Sequence, residues 1–370
     1  MLERLVTDFY APRWLARFLP PILRRRRIEG LPASKVSPVG RSFAMQAAAV
    51  LLRRPIAPVI ARINRMHAER GARLAAKSGA HLYCYGNYLP EPADRPPHSG
   101  IIDFEFHPHP GLTRKLLTED AALFPEVAIS HAEELAALDR AAINNAWRQA
   151  DAIVCASSMT RRTLEFAGCD ANNITVIPYG FQPSEVPPPD RTTGRCEFLF
   201  VGQGIQRKGL HHLLRAWAAN PPRDSRLTVV AYRIDPGIAA LATHPTIRLL
   251  GYLDRPALQE IYAASDVFVM PSLVEGFGLV YLEALATGCH VIATTNTGVP
   301  DLALGTDAAT VIEPGDLSRL GEVMHDLAER KCSGLLDPQA IARQAATRPW
   351  STFRREIGDH AAQFLRNYKV

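Results

Sequence analysis

Residues 271–300 read PSLVEGFGLVYLEALATGCHVIATTNTGVP, and this stretch decides the fold. It follows Val267-Phe268-Val269-Met270, an apolar run of the kind found in buried parallel strands. A loop with two glycines comes next, Glu275-Gly276-Phe277-Gly278. Leu279, Leu282, Leu285 and Ala286 then share one face of a helix that Gly288 stops, and His290–Thr294 returns to the sheet. Strand, glycine loop, helix, strand places open backbone N–H groups at a helix N-terminus, where the dipole favours phosphate. Two carboxylates flank that anion site. Glu275 precedes the helix, and Glu283 lies about 7.5 Å along its axis from Gly278. Carboxylates beside a phosphate repel it, so their expected partners are neutral hydroxyls, which a nucleotide sugar carries on both its ribose and its hexose.

Glu275 and Glu283, set in EGFGL, EALATGCHVIAT and the following Gly298-Val299-Pro300-Asp301-Leu302, resemble the signature of retaining GT-B glycosyltransferases. These are the family 4-like group also called glycosyl transferases group 1. The resemblance implies an α/β fold of two Rossmann-like αβα domains facing a cleft. It also implies transfer of a sugar from a nucleotide-diphosphate sugar to an acceptor (glycan, lipid or small molecule) with retained anomeric configuration. Glu275 is then the residue that contacts and orients the sugar, Glu283 the ribose ligand, and Phe277, Gly278 and Leu279 the turn that receives the diphosphate.

Outward from that stretch, Glu197–Val201 reads as a strand and Gly202–Gly209 as a loop; Leu210, Leu213, Leu214 and Trp217 form an apolar helical stripe. Glycines with Arg207 and Lys208 at a helix start make a second anion cradle. The loop resembles the family's V-G-R-x(4)-K-G stretch, whose lysine and arginine hold the donor diphosphate. Lys208 matches the lysine; Gln203 stands where the family has arginine, with Arg207 adjacent as a possible replacement for the charge. Tyr252 and Leu253, after a strand at Ile247–Leu250, occupy the position that packs on the nucleobase in the family.

The first half alternates strands and helices, with strands at 80–85, 100–106, 152–155 and 174–177, and a helix over 132–150. Before that, Leu5-Val6-Thr7 reads as a short strand, and residues 12–75 as helices broken by Pro20-Pro21, Pro32, Pro38 and Pro55; Val59, Ile60, Ile63, Met66 and Leu74 supply one apolar stripe. His109, and after it His107, follow the strand ending at Phe106, where ligands meet such sheets. His109 is the stronger catalytic candidate of the two. The expected domains are an acceptor-side domain over 1–181, a linker over 182–195 rich in Pro, Asp and Thr, a nucleotide-sugar-binding domain over 196–349, and a helix over 350–370 returning to the first domain. The first domain reads as lacking its opening βα unit, through a start placed too late or a truncation.

Length and a 47% hydrophobic composition suit two full cores. Six cysteines without CxxC pairs suit reduced, buried thiols and a cytoplasmic protein. Residues 1–77 hold 16 Lys/Arg against 4 Asp/Glu, including Arg24–Arg27. That excess suits either an anionic membrane surface at the inner face of the membrane, a phosphorylated acceptor, or an ordinary solvated face. Aromatic residues are not interleaved with it, so nucleic acid is not expected. Asp-x-Asp is absent, and no essential metal or cofactor is expected. Two rivals are a phosphorylase or epimerase on the same fold, and a non-catalytic nucleotide-sugar-binding protein or inactive partner subunit, which the Gln203 replacement favours.

Overall fold

The computed structural model describes residues 5–7, 31–53, 56–86, 89, 98–141, 146–181, 188 and 194–368. In chain order the elements are β1 (Leu5–Thr7), β2 (Val36–Pro38), α1 (Gly40–Leu51), α2 (Ile56–Ser78), β3 (Leu82–Tyr85), β4 (Ile101–Glu105), α3 (Pro110–Leu123), α4 (Ala128–Ala141), β5 (Ala152–Cys155), α5 (Ser158–Phe166) and β6 (Ile174–Val176). Then come β7 (Cys196–Val201), α6 (Leu210–Ala219), β8 (Ser225–Val230), β9 (Ile247–Leu250), α7 (Arg255–Ala263), β10 (Val267–Val269), α8 (Leu279–Ala286), β11 (His290–Thr294), β12 (Ala309–Ile312), α9 (Leu317–Cys332), α10 (Pro338–Ala346) and α11 (Trp350–Asn367).

β7 to β12 form one parallel sheet in the order β12-β11-β10-β7-β8-β9. Taken from β9, that is the doubly wound order of a Rossmann-like fold, and the chain changes direction across the sheet between β7 and β10. Ligands in such sheets sit at that point, beyond the carboxyl ends of the strands. The strands are apolar on both faces because helices cover both: Phe198, Leu199, Val229, Phe268 and Ile292 are fully buried. Phe198 packs on Trp217 of α6 (ring centroids 5.2 Å) and Phe268 on Tyr281 of α8 (5.6 Å). Fully burying such side chains contributes roughly 1.5–3 kcal/mol each.

β3 to β6 form a four-stranded sheet in that order, and β1 and β2 a parallel pair. The chain divides into two compact units. The first comprises residues 1–104, 144–153 and 359–370, the second residues 105–143 and 154–358. Within the first unit, the end of α11 returns to β3 and β4. Phe364 and Tyr368 pack on His81 (ring centroids 6.1 and 5.0 Å), and a Cβ on Gly100 would meet Phe364 at 2.7 Å.

The stop expected at Gly288 is met, with φ 80° just past α8. Ser157 caps α5, accepting from the Thr160 N–H, and Gly168 follows that helix with φ 89°. Other expectations are corrected. The helix expected over 132–150 is α4 ending at Ala141, with a 3₁₀ turn at Ala146–Gln149. Residues 110–123 form a helix that was not expected: His109 caps it, accepting from the Gly111 N–H, and Pro110 opens it. Val36–Pro38 is a strand rather than a helix break. The buried side of α2 is Ile63, Ala68, Ala72 and Ala75, while Ile60 is exposed and Met66 half-buried. Apart from Ile63 that buried side is made of alanines, which a search for large apolar residues overlooks. Pro20-Pro21, Arg24–Arg27, Pro55 and most of the 182–195 stretch lie outside the described residues.

All six cysteines are free, and Cys84, Cys155, Cys196 and Cys289 are buried. Burial pushes the thiols of Cys84 and Cys155 up to about 12, which suits inert core residues rather than nucleophiles. No helix among the described residues is long and apolar enough to cross a membrane.

Candidate active site

The loops after β7 and β10 meet at the direction change of the large sheet. The loop after β7 turns through Gly209 (φ 70°), where a Cβ would sit 1.9 Å from the Pro271 carbonyl oxygen, so only glycine allows the two loops this close. That approach brings Lys208 and Glu275 together. The Lys208 ammonium donates to Glu275 Oε2, and Arg207 Nη1 lies 3.3 Å from the same oxygen. Arg207 Nε also faces Glu134 of α4 at 3.4 Å, and its Nη1 lies 3.3 Å from the Val274 carbonyl oxygen. Arg207 therefore points into the cluster. Gln203 does not: its amide donates to the Tyr232 hydroxyl.

Burial opposes ionisation of Glu275, but Lys208 and Arg207 outweigh it and hold the carboxyl below the ordinary range. Burial also lowers the pKa of Lys208; Glu275 resists that shift and Arg207 reinforces it. A close cation–carboxylate cluster in a partly enclosed place is characteristic of functional sites, though structural ion pairs also produce it.

The segment after β4 supplies histidines to the same region. A Cβ on Gly276 would meet the Phe106 carbonyl oxygen at 2.3 Å, so Phe106–Pro108 lies against the Glu275–Gly276 turn. Burial and then the charge of Arg207 lower the pKa of His107, while Glu275 opposes them. His107 is thus within electrostatic reach of the cluster. His109, the stronger candidate by sequence, uses Nδ1 to cap α3, and its backbone N–H donates to Thr163 Oγ1 (2.8 Å).

The Gly276 carbonyl accepts from the hydroxyls of Ser157 and Thr160, and the Glu275 N–H donates to the Asn296 carbonyl (2.9 Å). Phe277 is buried against Tyr179 (ring centroids 5.0 Å). Gly278 adopts φ 90° and is the N-cap of α8 with no side chain capping it, so the helix end presents backbone N–H groups, with Leu279 exposed beside it. Glu283, one turn on, is largely exposed, but the protein around its carboxyl raises its pKa, and it accepts from the Tyr262 hydroxyl at 3.3 Å. Tyr252 is 79% exposed after β9, with Leu253 half-buried next to it; they share the strand-end edge but none of the cluster's hydrogen bonds.

Sequence reasoning missed the frame behind Lys208. Gln206 is fully buried; its amide NH₂ donates to the Leu117 carbonyl and to Asp120 Oδ2 (both 2.7 Å), and its Oε1 faces His131 Nδ1 (2.9 Å). Asp120 also accepts from His212 Nε2 (2.7 Å) and His211 Nε2 (3.1 Å). These three residues hold ligand-type atoms within 4.8 Å of one another. Both histidine Nδ1 atoms are buried without a partner among the described residues, whereas a metal-bound imidazole normally donates its other N–H. The group reads as a hydrogen-bonded anchor for the 206–208 turn. The only sequence signal was Gln206 adjoining Arg207-Lys208. Gln206→Leu is expected to destabilise the fold by roughly 1–3 kcal/mol, because it removes the Gln206 partner of His131 and one of the donors to buried Asp120, while Gln203→Leu costs far less. Urea denaturation of the two variants checks this; equal losses would mean that Gln206 anchors nothing.

Residues 195–330 match the family model described as "Glycosyl transferases group 1". Among curated proteins, glycogen synthase of Mycobacterium tuberculosis is 27% identical over 208 residues, covering 54% of this chain and 49% of that protein. The chain thus spans about half the length of this relative. Among solved structures, sucrose-phosphate synthase of Thermosynechococcus elongatus aligns with a TM-score of 0.57 at 18% identity, over 92% of this chain and 83% of that one. The Anabaena protein HepE, solved in complex with UDP-glucose, aligns with a TM-score of 0.57 at 17% identity, over 80% and 82%. The likeness shows the fold: α/β, of the GT-B type, with Rossmann-like domains.

Proposed function

We propose that the protein is a glycosyltransferase that moves a sugar from a nucleotide-diphosphate sugar to an acceptor. The observation that carries this reading is the Lys208–Glu275–Arg207 cluster at the direction change of the large sheet, inside the segment that matches the family model. A dinucleotide-type sheet puts a diphosphate there. Lys208, Arg207 and the uncapped start of α8 are the positive groups available to it. HepE's complex with UDP-glucose supports a nucleotide-sugar donor.

In the reaction the bond between the anomeric carbon and the diphosphate oxygen breaks, and its electron pair leaves with the nucleoside diphosphate. Lys208 and the α8 start stabilise that developing charge. The acceptor hydroxyl forms the new bond on the same face of the sugar, and its proton passes to the departing phosphate oxygen. Configuration is retained, as in the family 4-like group, and the transferred residue is a hexose. Glu275 receives sugar hydroxyls once the diphosphate becomes the partner of the cations, and Glu283 receives those of the ribose. Tyr252 and Leu253 border the base. His109 or His107 faces the reacting sugar, with His107 closer to the charged cluster. The reaction uses no essential metal, and the protein works in the cytoplasm or peripherally at the inner face of the membrane. The acceptor side lies in residues 1–181 and donor binding in residues 196–349.

The reading of a non-catalytic binder rests on Gln203, and the direction of Arg207 argues against it, since Arg207 puts a positive charge beside Glu275. A thermal-shift screen against nucleotide sugars, followed by a transfer and hydrolysis assay with the stabilising donor, separates the two. A donor that binds the folded state raises the Tm. Binding without turnover would support the binder; no shift with any nucleotide sugar would sink both readings.

A further inference from the structure

Helix α5 lies inside the second unit, and its side chains reach two other segments of that unit, the Glu275 turn and the histidine segment after β4. Ser157, the N-cap, and Thr160 are fully buried. Both hydroxyls donate to one acceptor, the Gly276 carbonyl, Thr160 Oγ1 at 3.2 Å. Arg162 Nη2 donates to Asn296 Oδ1 at 2.5 Å, and the carbonyl of the same Asn296 accepts from the Glu275 N–H at 2.9 Å. The Asn296 amide NH₂ is itself held by the Leu273 carbonyl (2.8 Å). Glu275 is thus fixed through its own N–H on one side and through the next residue's carbonyl on the other, and both holds run back to α5.

The same helix holds the histidine segment. Thr163 Oγ1, fully buried, accepts from the His109 N–H at 2.8 Å and donates to the Thr160 carbonyl at 2.6 Å. A helical threonine commonly returns its hydroxyl to a carbonyl of the preceding turn, as Thr163 does. Thr160 instead spends its hydroxyl on a carbonyl 116 residues away. A Cβ on Gly276 would meet the Phe106 carbonyl oxygen at 2.3 Å, so the turn has no room to drift toward the histidine segment. Side chains that only filled the core behind α5 would need none of these hydroxyls.

We propose that Ser157, Thr160, Arg162 and Thr163 are positioning residues, through which α5 sets the separation between Glu275 and the 107–109 segment on either side of the transferred sugar. The inference rests on the reading of Glu275 as the residue that orients that sugar. These four side chains act through the backbone of Glu275, Gly276 and His109, and the groups offered to the diphosphate, Lys208 and Arg207, lie on another loop. A displaced orienting group slows the chemical step far more than it weakens binding.

The test compares Thr160→Val, which keeps the volume and removes the hydroxyl, with Thr160→Ser, which keeps the hydroxyl. Hydrogen–deuterium exchange of the full chain, with no donor present, is read first. Thr160→Val should speed exchange at residues 275–278 and leave β8 and β9 unchanged, and Thr160→Ser should restore the wild-type rates. Kinetics follow with UDP-glucose, or with the nucleotide sugar that the thermal-shift screen selects. Thr160→Val should lower kcat about ten- to a hundredfold while the donor KM stays within about twofold. Thr160→Ser should recover most of that loss. Arg162 is exposed, so Arg162→Met removes the hold on Asn296 with the fold kept, and it should lower kcat about tenfold in the same way. Unchanged exchange at 275–278 in Thr160→Val would overturn the inference. So would wild-type kcat in both variants, or a raised KM with kcat unchanged, and either result would leave the transferase reading standing. The expected exchange pattern in a protein that turns over no nucleotide sugar would keep α5 as the frame of the turn and overturn the transferase reading instead.

Discussion

Lys208→Ala is expected to lower kcat/KM with a confirmed donor about a hundredfold or more, and Arg207→Ala by about tenfold. Removing one preorganised group that stabilises developing charge typically costs two to three orders of magnitude in turnover. Lys208 is the stronger case because its ammonium is deeper and is committed to Glu275, whereas Arg207 is shared between Glu275, Glu134 and the Val274 carbonyl. Arg207 can lose its place without leaving Glu275 alone; Lys208 leaves a buried carboxylate with one weaker partner. Breaking a buried pair on one side costs about 3–5 kcal/mol of stability, so the fold must be checked separately. Lys208→Gln keeps a donor near Glu275 and removes the charge. If Lys208→Gln keeps the wild-type Tm and still loses about a hundredfold, the charge acts on the substrate. Equal and negligible losses at both positions would show that this loop does not touch a diphosphate.

The six-stranded sheet was legible because its cues are local. Val267–Met270, the Gly276 and Gly278 turn, and the stop at Gly288 each fix backbone geometry within a few residues, and the strands appear where the apolar runs lie. The convergence of Lys208 and Glu275 was implied only by resemblance, because 67 residues separate them and the Gly209–Pro271 approach joins them. The direction of Arg207 and the anchoring of Gln206 by Asp120 depend on α3 and α4, and α3 was missed outright. Its start, His109-Pro110-Gly111, combines residues that usually mark turns, and only the cap geometry shows a helix there. The stripe expected on α2 holds fully only at Ile63, for a different reason: the other buried residues are Ala68, Ala72 and Ala75, while Val59, Met66 and Leu74 are half-buried and Ile60 is exposed.

Glu275→Gln is expected to reduce turnover more than donor affinity, and Glu283→Ala to do the reverse. Glu275 is enclosed by two cations and fixed at its backbone by Asn296, so it is placed to orient a sugar whose diphosphate takes those cations over. Glutamine keeps the shape and one acceptor but not the charge, which alters orientation and transition-state charge more than ground-state contact. Among the described residues the Glu283 carboxylate bonds only the Tyr262 hydroxyl, at 3.3 Å, and it is open enough to accept a ribose hydroxyl, an interaction the same in ground and transition states. Its loss should raise the donor KM by roughly 1–3 kcal/mol with kcat nearly unchanged. The two sites also differ in pH response. The Glu275 carboxyl titrates below its ordinary range, so the stability it contributes is complete above the unfolded pKa and falls away as acid protonates it. Glu275→Gln should therefore flatten the acid side of a Tm-against-pH curve. Glu283, whose pKa is raised, contributes the opposite sign: its charged form is disfavoured in the fold, so Glu283→Ala should slightly relieve instability at neutral pH. Steady-state kinetics with the donor varied, read beside Tm curves from acid to neutral pH, give four independent outcomes. Wild-type kinetics for both variants would remove Glu275 and Glu283 from the site, whatever the Tm curves show.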